Sequence, residues 1–160
     1  MDPLDQINEN ATETAYIENI SLAGTYYHSL DAKGRINFPA RLRDIIGETF
    51  WVARALTGHF LAVYSLAGWL DMQQQLMGRK GPRAEALLRW FNAGAVEVTP
   101  DKQGRILIPG NLREYANLEK DVVVIGAGRK AEIWDLEAFR AQDEAFDPMA
   151  EPSDLEGISF

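Results

Sequence analysis

Two pentapeptides set 70 residues apart hold the side chains best placed to do chemistry: Asp31-Ala32-Lys33-Gly34-Arg35 and Asp101-Lys102-Gln103-Gly104-Arg105. Aspartate first and glycine fourth suit a type I turn closed by a residue of positive φ, so Asp31, Gly34, Asp101 and Gly104 are expected to shape a tight hairpin with a bulge. A turn that lifts lysine and arginine above a sheet edge can neutralise phosphates. The planar fork of arginine can also bridge a guanine edge in the major groove. Arg35 and Arg105 equally suit pairing with the turn carboxylates or covering the end of a barrel, and spacing alone leaves both readings open.

Other chemistry finds little support. The chain has no cysteine and two histidines, His28 and His59, which leaves no thiolate nucleophile, no disulfide, no zinc–sulfur site and no multi-histidine metal site. Neither histidine has a counterpart in the second pentapeptide's neighbourhood, where Val98 and Arg129 stand. A phosphate-binding P-loop motif is missing. Gly126-Ala127-Gly128 followed by Ala131 fits a dinucleotide fingerprint on paper, but Ala131-Glu132-Ile133-Trp134 reads as a strand where a helix would have to open, so a hairpin turn is expected there. No nucleophile, base and orienter set is visible. The expectation is a protein that is not an enzyme and needs no cofactor, metal or small-molecule substrate.

The elements that must position the two turns follow from an internal repeat. A shift of 70 residues superposes 24–69 on 94–139 without a gap, with 11 identities in 46 pairs, among them Gly24 with Gly94, Pro39 with Pro109, Arg43 with Arg113, Val52 with Val122 and Gly58 with Gly128. In each copy two β-prone runs flank the Asp-x-x-Gly turn. Pro39 or Pro109 then opens a short helix as its first residue, ended by Gly47 or Asn117 in a left-handed conformation. Two further strands turn at Gly58 or Gly128, and Ser65 or Asp135 caps a last helix that carries Trp69 or Phe139 inward. The unit is ββαββ plus a helix, in a mainly β fold with short helices (α+β).

Forty-six residues cannot enclose a sufficient core, so the copies are expected to pack as a pseudo-twofold pair that exchanges strands into one barrel. Between them, Leu66 to Met77 and Ala84 to Phe91 follow helical spacing interrupted at Gly78-Arg79-Lys80-Gly81-Pro82, which predicts a helical hairpin whose Arg79, Lys80, Arg83 and Arg89 are a solvated face. The domains are thus an acidic, mobile tail over 1–20, a first repeat over 22–69, the helical hairpin over 70–93, a second repeat over 94–140 and an acidic tail over 141–160.

At 160 residues, 46% apolar and 25% charged, the composition is that of a globular chain, and no run of the roughly 18 to 20 apolar residues needed to cross a bilayer occurs. With no secretory signal at Met1-Asp2-Pro3-Leu4-Asp5, a cytoplasmic location is expected. The net charge of −8 argues against a nucleic-acid partner until it is placed along the chain. Eleven carboxylates and no Lys or Arg lie in 1–20 and 141–160, leaving 16 basic against 13 acidic residues in 21–140. The tails are read as solvated, with competition against DNA as the alternative role.

The run Gly24-Thr25-Tyr26 through Leu30-Asp31-Ala32-Lys33-Gly34-Arg35-Ile36-Asn37-Phe38-Pro39-Ala40 stands in tandem with Asp101-Lys102-Gln103-Gly104-Arg105-Ile106-Leu107-Ile108-Pro109. Together with Arg89-Trp90-Phe91-Asn92-Ala93-Gly94-Ala95 and the Val122 to Trp134 segment, it resembles the MraZ family, bacterial transcriptional regulators built from two SpoVT/AbrB-like domains. The resemblance covers about 22–140. It implies a swapped-hairpin AbrB-like barrel and assembly of chains into a closed ring homo-oligomer. It also implies nucleoid-associated binding to repeated promoter elements upstream of the division and cell-wall gene cluster, usually as a repressor. The family's DNA contacts transfer to Lys33, Arg35 and Arg105. The second copy has Lys102-Gln103 where the first has Ala32-Lys33, which gives its turn a different geometry or weight. On this reading Lys33, Arg41 and Lys102 supply phosphate contacts, Arg35 and Arg105 read bases, and the two turns enter successive major grooves of double-stranded DNA. The alternative is a ring-forming interaction module whose basic turns serve assembly.

Overall fold

The structure is a computed structural model and describes residues 21–160; the expected N-terminal tail over 1–20 lies outside the described residues. In chain order the elements are β1 (Thr25–Ser29), β2 (Arg35–Asn37), α1 (Ala40–Ile46), β3 (Phe50–Arg54), β4 (Leu61–Tyr64), α2 (Leu66–Met77) and α3 (Pro82–Ala93). The second half continues with β5 (Val96–Val98), β6 (Arg105–Leu107), α4 (Gly110–Tyr115), β7 (Asp121–Gly126), β8 (Ala131–Asp135) and α5 (Leu136–Ala145), then a single 3-10 turn at Pro152–Leu155. The fold is the expected α+β arrangement of two tandem repeats joined by a helical hairpin.

The repeats exchange strands. A six-stranded antiparallel sheet runs β1-β7-β8-β4-β3-β5, and β2 pairs with β6 in a separate two-stranded ribbon. Exchanging each strand for its counterpart (β1 with β5, β2 with β6, β3 with β7, β4 with β8) returns the same order reversed, which is a twofold relation. Two pairs sit on its axis, Ile36 opposite Ile106 and Ala62 opposite Glu132, and each joins residues 70 apart. The tight hairpin expected around each Asp-x-x-Gly turn is only half realised. Asp31 N–H donates to the Arg35 carbonyl at 2.9 Å, closing the turn, yet β1 leaves it to pair with β7 while β2 goes to β6. Exchange wins because strands of three to five residues joined only to each other would leave both edges and the apolar face of one repeat uncovered.

The gapless 70-residue match slips within β3 and β7. Trp51 opposes Tyr64, whereas Val123 opposes Trp134, so the hairpin partners are 70 apart and the strands themselves 72. Val52 is therefore the counterpart of Val124, not of Val122, and Phe50 that of Val122; all four are fully buried. Gly58 and Gly128 likewise align by coincidence: Gly128 has φ +80 in a short turn where Ala127 N–H donates to the Lys130 carbonyl at 2.9 Å, and Gly58 shows no positive φ. That turn leads into strand β8, as the strand reading of Ala131 to Trp134 requires.

Pro39 and Pro109 sit one position earlier than expected. Their extended backbone (ψ 128 and 152) makes them caps, and their carbonyls accept the first helical bonds from Leu42 and Arg43 and from Leu112 and Arg113. Gly47 (φ 104) and Asn117 (φ 53) follow the two helices, and Ser65 and Asp135 cap α2 and α5 by accepting from Gly68 and Ala138 N–H. Trp69 is buried and Phe139 half-buried against Trp134. α5 runs five residues into the acidic C-terminal stretch, and every side chain from Ala141 onward is exposed.

Strand alternation divides the core in two. Phe50, Val52, Leu61, Val63, Val122, Val124 and Ile133 face Ile36 and Ile106 of the ribbon strands, Phe38 and Ile108 that follow them, and Leu42 and Leu112 of the short helices, so the ribbon is fixed from beneath by residues of both repeats. On the other face Ala53, Ala62 and Tyr64 meet Trp69, Leu76 and Phe91 of the helical hairpin. There the Arg54 guanidinium lies 4.0 Å from the Trp90 ring centroid and donates to the Trp90 carbonyl, and a Cβ on Gly94 would stand 2.2 Å from Arg54 Nε. Gly94→Ala must therefore dislodge Arg54 from its stack. Urea unfolding is expected to show a loss of about 1–3 kcal/mol, and an unchanged midpoint would contradict this packing.

Candidate nucleic-acid interface

Each Asp-x-x-Gly-Arg segment is organised by its own aspartate. Asp31 Oδ1 accepts from the backbone N–H of Lys33 and Arg35, both at 2.9 Å, and Oδ2 accepts from Arg35 Nε at 2.8 Å. The second segment repeats this: Asp101 Oδ1 accepts from Gln103 N–H at 2.9 Å and Arg105 N–H at 3.0 Å, and Oδ2 from Arg105 Nε at 2.9 Å. Gly34 and Gly104 N–H close the turns onto the carbonyls of Asp31 and Asp101, with φ +82 and +80 at the glycines. Glycine is required there because L side chains disfavour that conformation.

Both readings of the arginines therefore meet in one geometry. The Nε edge is tied to the carboxylate, while the two Nη groups of Arg35 and of Arg105 make no hydrogen bond among the described residues. A half-exposed guanidinium held on one edge keeps its outer donors in a fixed direction, the condition for bidentate recognition of an acceptor pair.

The two turns are ends of one object. In the ribbon Arg35 opposes Leu107 and Asn37 opposes Arg105, with the buried Ile36 and Ile106 between them. Arg35, Asn37, Arg105 and Leu107 thus share the outward face, and the two arginines are diagonal neighbours at about 7–8 Å between Cα atoms. Phe38 N–H donates to the Gly104 carbonyl and Ile108 N–H to the Gly34 carbonyl, both at 2.9 Å, so the ribbon extends to the glycines. At about 3.3 Å per residue that is about 13 Å from turn to turn, far short of the roughly 34 Å of a helical repeat. The sequence reading placed the two turns in successive major grooves; at this separation the turns of one chain do not reach that far, and they can share one groove.

Lys33 and Lys102 extend into solvent from the two turns, and Arg41 is exposed on the first turn of α1. Arg41 precedes Arg43 by two positions, so it lies on a different face of that helix. Arg43 and Arg113 pair with no carboxylate among the described residues. They pack flat against the glycines: a Cβ on Gly34 would stand 2.9 Å from Arg113 Cζ, and one on Gly104 would stand 3.1 Å from an Arg43 Nη. Their shared position in the repeat was legible, but not that each serves the turn of the opposite repeat. Asn37 and Leu107 were missed as well, because facing outward beside an arginine depends on the ribbon's register.

Burial lowers the His28 pKa, and His59 Nδ1 lies 3.2 Å from the Tyr115 carbonyl. Among the described residues no cluster of His, Asp or Glu could hold a metal ion, and no helix is long and apolar enough to cross a membrane. An open cleft of about 460 Å³ lies at the turn of the helical hairpin, lined by Leu76, Met77, Lys80 and Leu88 among others, and no residue of either Asp-x-x-Gly-Arg segment lines it.

The backbone N–H of Arg35, followed by its side chain and the Lys33 N–H, holds the Asp31 pKa down at about 2, and the same contacts from Arg105 and Gln103 lower that of Asp101. A carboxylate with a depressed folded-state pKa supports its turn fully above its ordinary value near 3.8, and this support is lost as pH falls through about 2. The amide resonances of Lys33 and Arg35 are expected to keep their neutral-pH shifts down to about pH 3 and to move near pH 2. A titration midpoint near the ordinary aspartate value would show that the carboxylate is not bonded this way.

The chain matches the family model described as MraZ protein, antitoxin-like, twice, over residues 21–90 and 91–154. It is 42% identical over 134 residues to a transcriptional regulator MraZ of Moorella thermoacetica, covering 80% of this chain and 93% of that protein. Proteins of the same name from Heliobacterium modesticaldum (45% over 130 residues; 80% and 90% covered) and Lachnoclostridium phytofermentans (46% over 139 residues; 86% and 98% covered) are equally similar.

Proposed function

The chain belongs to the MraZ family of transcriptional regulators, not to a class of enzymes, and from that premise we propose that its β2–β6 ribbon is the reading head of a sequence-specific, double-stranded-DNA-binding regulator. The observation that carries this is the pair Arg35 and Arg105, each anchored by Nε to its turn aspartate and set side by side on one outward face. A two-stranded ribbon fits the roughly 12 Å width of the major groove. Arg35 and Arg105 read guanine edges; Lys33 and Lys102 at the ribbon ends, with Arg41 flanking, contact phosphates and make affinity salt-dependent.

One ribbon serves one groove, so tandem repeats call for several chains. A closed ring homo-oligomer, as the family resemblance implies, supplies them, and multivalency turns weak single contacts into tight binding. By the same resemblance the targets are repeated promoter elements upstream of the division and cell-wall gene cluster, bound in the cytoplasm at the nucleoid, with repression as the outcome. The test is fluorescence anisotropy with a duplex from upstream of the protein's own gene against a scrambled duplex, over a salt series. Preferential binding that weakens steeply with salt is expected. Indifference to both duplexes at low salt would favour the interaction-module reading, in which Arg35→Ala disturbs assembly and shifts elution in size-exclusion chromatography.

A further inference from the structure

The antiparallel register of the ribbon has a topological consequence. β2 runs from the first turn towards the second, so the chain leaving β2 through Phe38 and Pro39 enters α1 beside Gly104, where Phe38 N–H donates to the Gly104 carbonyl. By the twofold relation, β6 delivers α4 beside Gly34. The helix of each repeat therefore lies under the turn of the other. The Arg43 guanidinium is flat against Gly104 and that of Arg113 flat against Gly34, close enough that neither glycine has room for a Cβ without the arginine giving way. Arg43 Nε and Arg113 Nε are buried and unpartnered, and neither side chain forms an ion pair or hydrogen bond among the described residues. A buried donor left unpaired costs stability. Both copies retain that arrangement, which a merely structural arginine could relieve by turning to a carboxylate.

We propose that Arg43 and Arg113 are crossed positioning residues: each holds the glycine platform of the opposite repeat's turn, so that Arg43 sets the geometry from which Lys102 and Arg105 act, and Arg113 that from which Lys33 and Arg35 act. Placing a cation beneath each turn also raises the positive potential at the surface the turn presents. The two turns of one chain then cannot be tuned separately, because a change in the helix of one repeat alters the turn of the other. The DNA part of this inference rests on the function proposed above; the crossed support of the turns does not.

The experiment has a DNA-free arm and a DNA arm. Hydrogen exchange is followed at the turn amides in Arg43→Ala and Arg113→Ala, with Arg43→Lys and Arg113→Lys as variants that keep the aliphatic stem should the alanine forms fail to fold. Arg43 replacement is expected to speed exchange at 103–105 and leave 33–35 unchanged, and Arg113 replacement to do the reverse. Faster exchange confined to the turn of the mutated repeat, equal at both turns, or at neither, would overturn the proposal. In the DNA arm, Arg43→Ala is expected to weaken promoter-duplex binding about tenfold, equivalent to about 1.4 kcal/mol. The loss should be non-additive with Arg105→Ala and additive with Arg35→Ala. Strict additivity with Arg105→Ala would overturn the positioning role. A crossed exchange pattern, with DNA binding untouched even by Arg35→Ala, would uphold the crossed support and remove the DNA-binding reading instead.

Discussion

Replacing Arg35 and Arg105 together by alanine is expected to lower affinity for the promoter duplex by about 30-fold or more while the protein remains folded and its oligomeric state unchanged. Each arginine forked onto a guanine is worth about 1–3 kcal/mol of discrimination, and tenfold corresponds to about 1.4 kcal/mol. Two independent forks together are worth about 2–6 kcal/mol, which is about one and a half decades or more. The fold should survive because neither side chain belongs to the core, and among the described residues each is tied only to its own turn carboxylate. The single variants should each lose roughly half of that free energy. Anisotropy titrations at fixed salt, with size-exclusion profiles of the same samples, check both parts. Intact affinity in the double variant would remove the ribbon from the DNA interface.

Gly34→Ala is the second large effect. A residue at φ +82 with a side chain costs about 1–2 kcal/mol in backbone strain, and the new Cβ stands 2.9 Å from Arg113 Cζ, so the guanidinium beneath the turn must also shift. Gly128→Ala is the matched control, since Gly128 has nearly the same φ (+80) and nothing within 4 Å of the added Cβ. Both variants should lose stability in chemical denaturation, but only Gly34→Ala should also lose DNA affinity, by about tenfold or more. Equal DNA affinity in the two would show that the platform beneath the turn is unimportant for binding.

Features settled within a few residues were legible in the sequence. Aspartate, glycine and arginine within five positions specify a turn whose bonds close on themselves, and the observed bonds at Asp31 and Asp101 are those that pattern calls for. The exchange of strands was legible in outline, because a single repeat is too short to bury its own apolar face. What could not be read was anything set by register between distant strands. Identity at Val52 and Val122 hid the two-residue slip between β3 and β7, since valine suits any inward position. The crossed placement of Arg43 and Arg113 follows from the antiparallel pairing of Ile36 with Ile106, which no local pattern encodes. For the same reason the turns read as two separate prongs, when the ribbon joins them into one surface.

The most direct test of the account is methylation interference at guanine N7, which lies in the major groove, on a duplex carrying the protein's own upstream region. The ribbon geometry predicts that methylation of particular guanines in each repeated element blocks binding of the native protein, and that interference at part of each set disappears in Arg35→Ala and at the rest in Arg105→Ala. Binding that tolerates N7 methylation throughout and is blocked only by minor-groove or phosphate modification would contradict it.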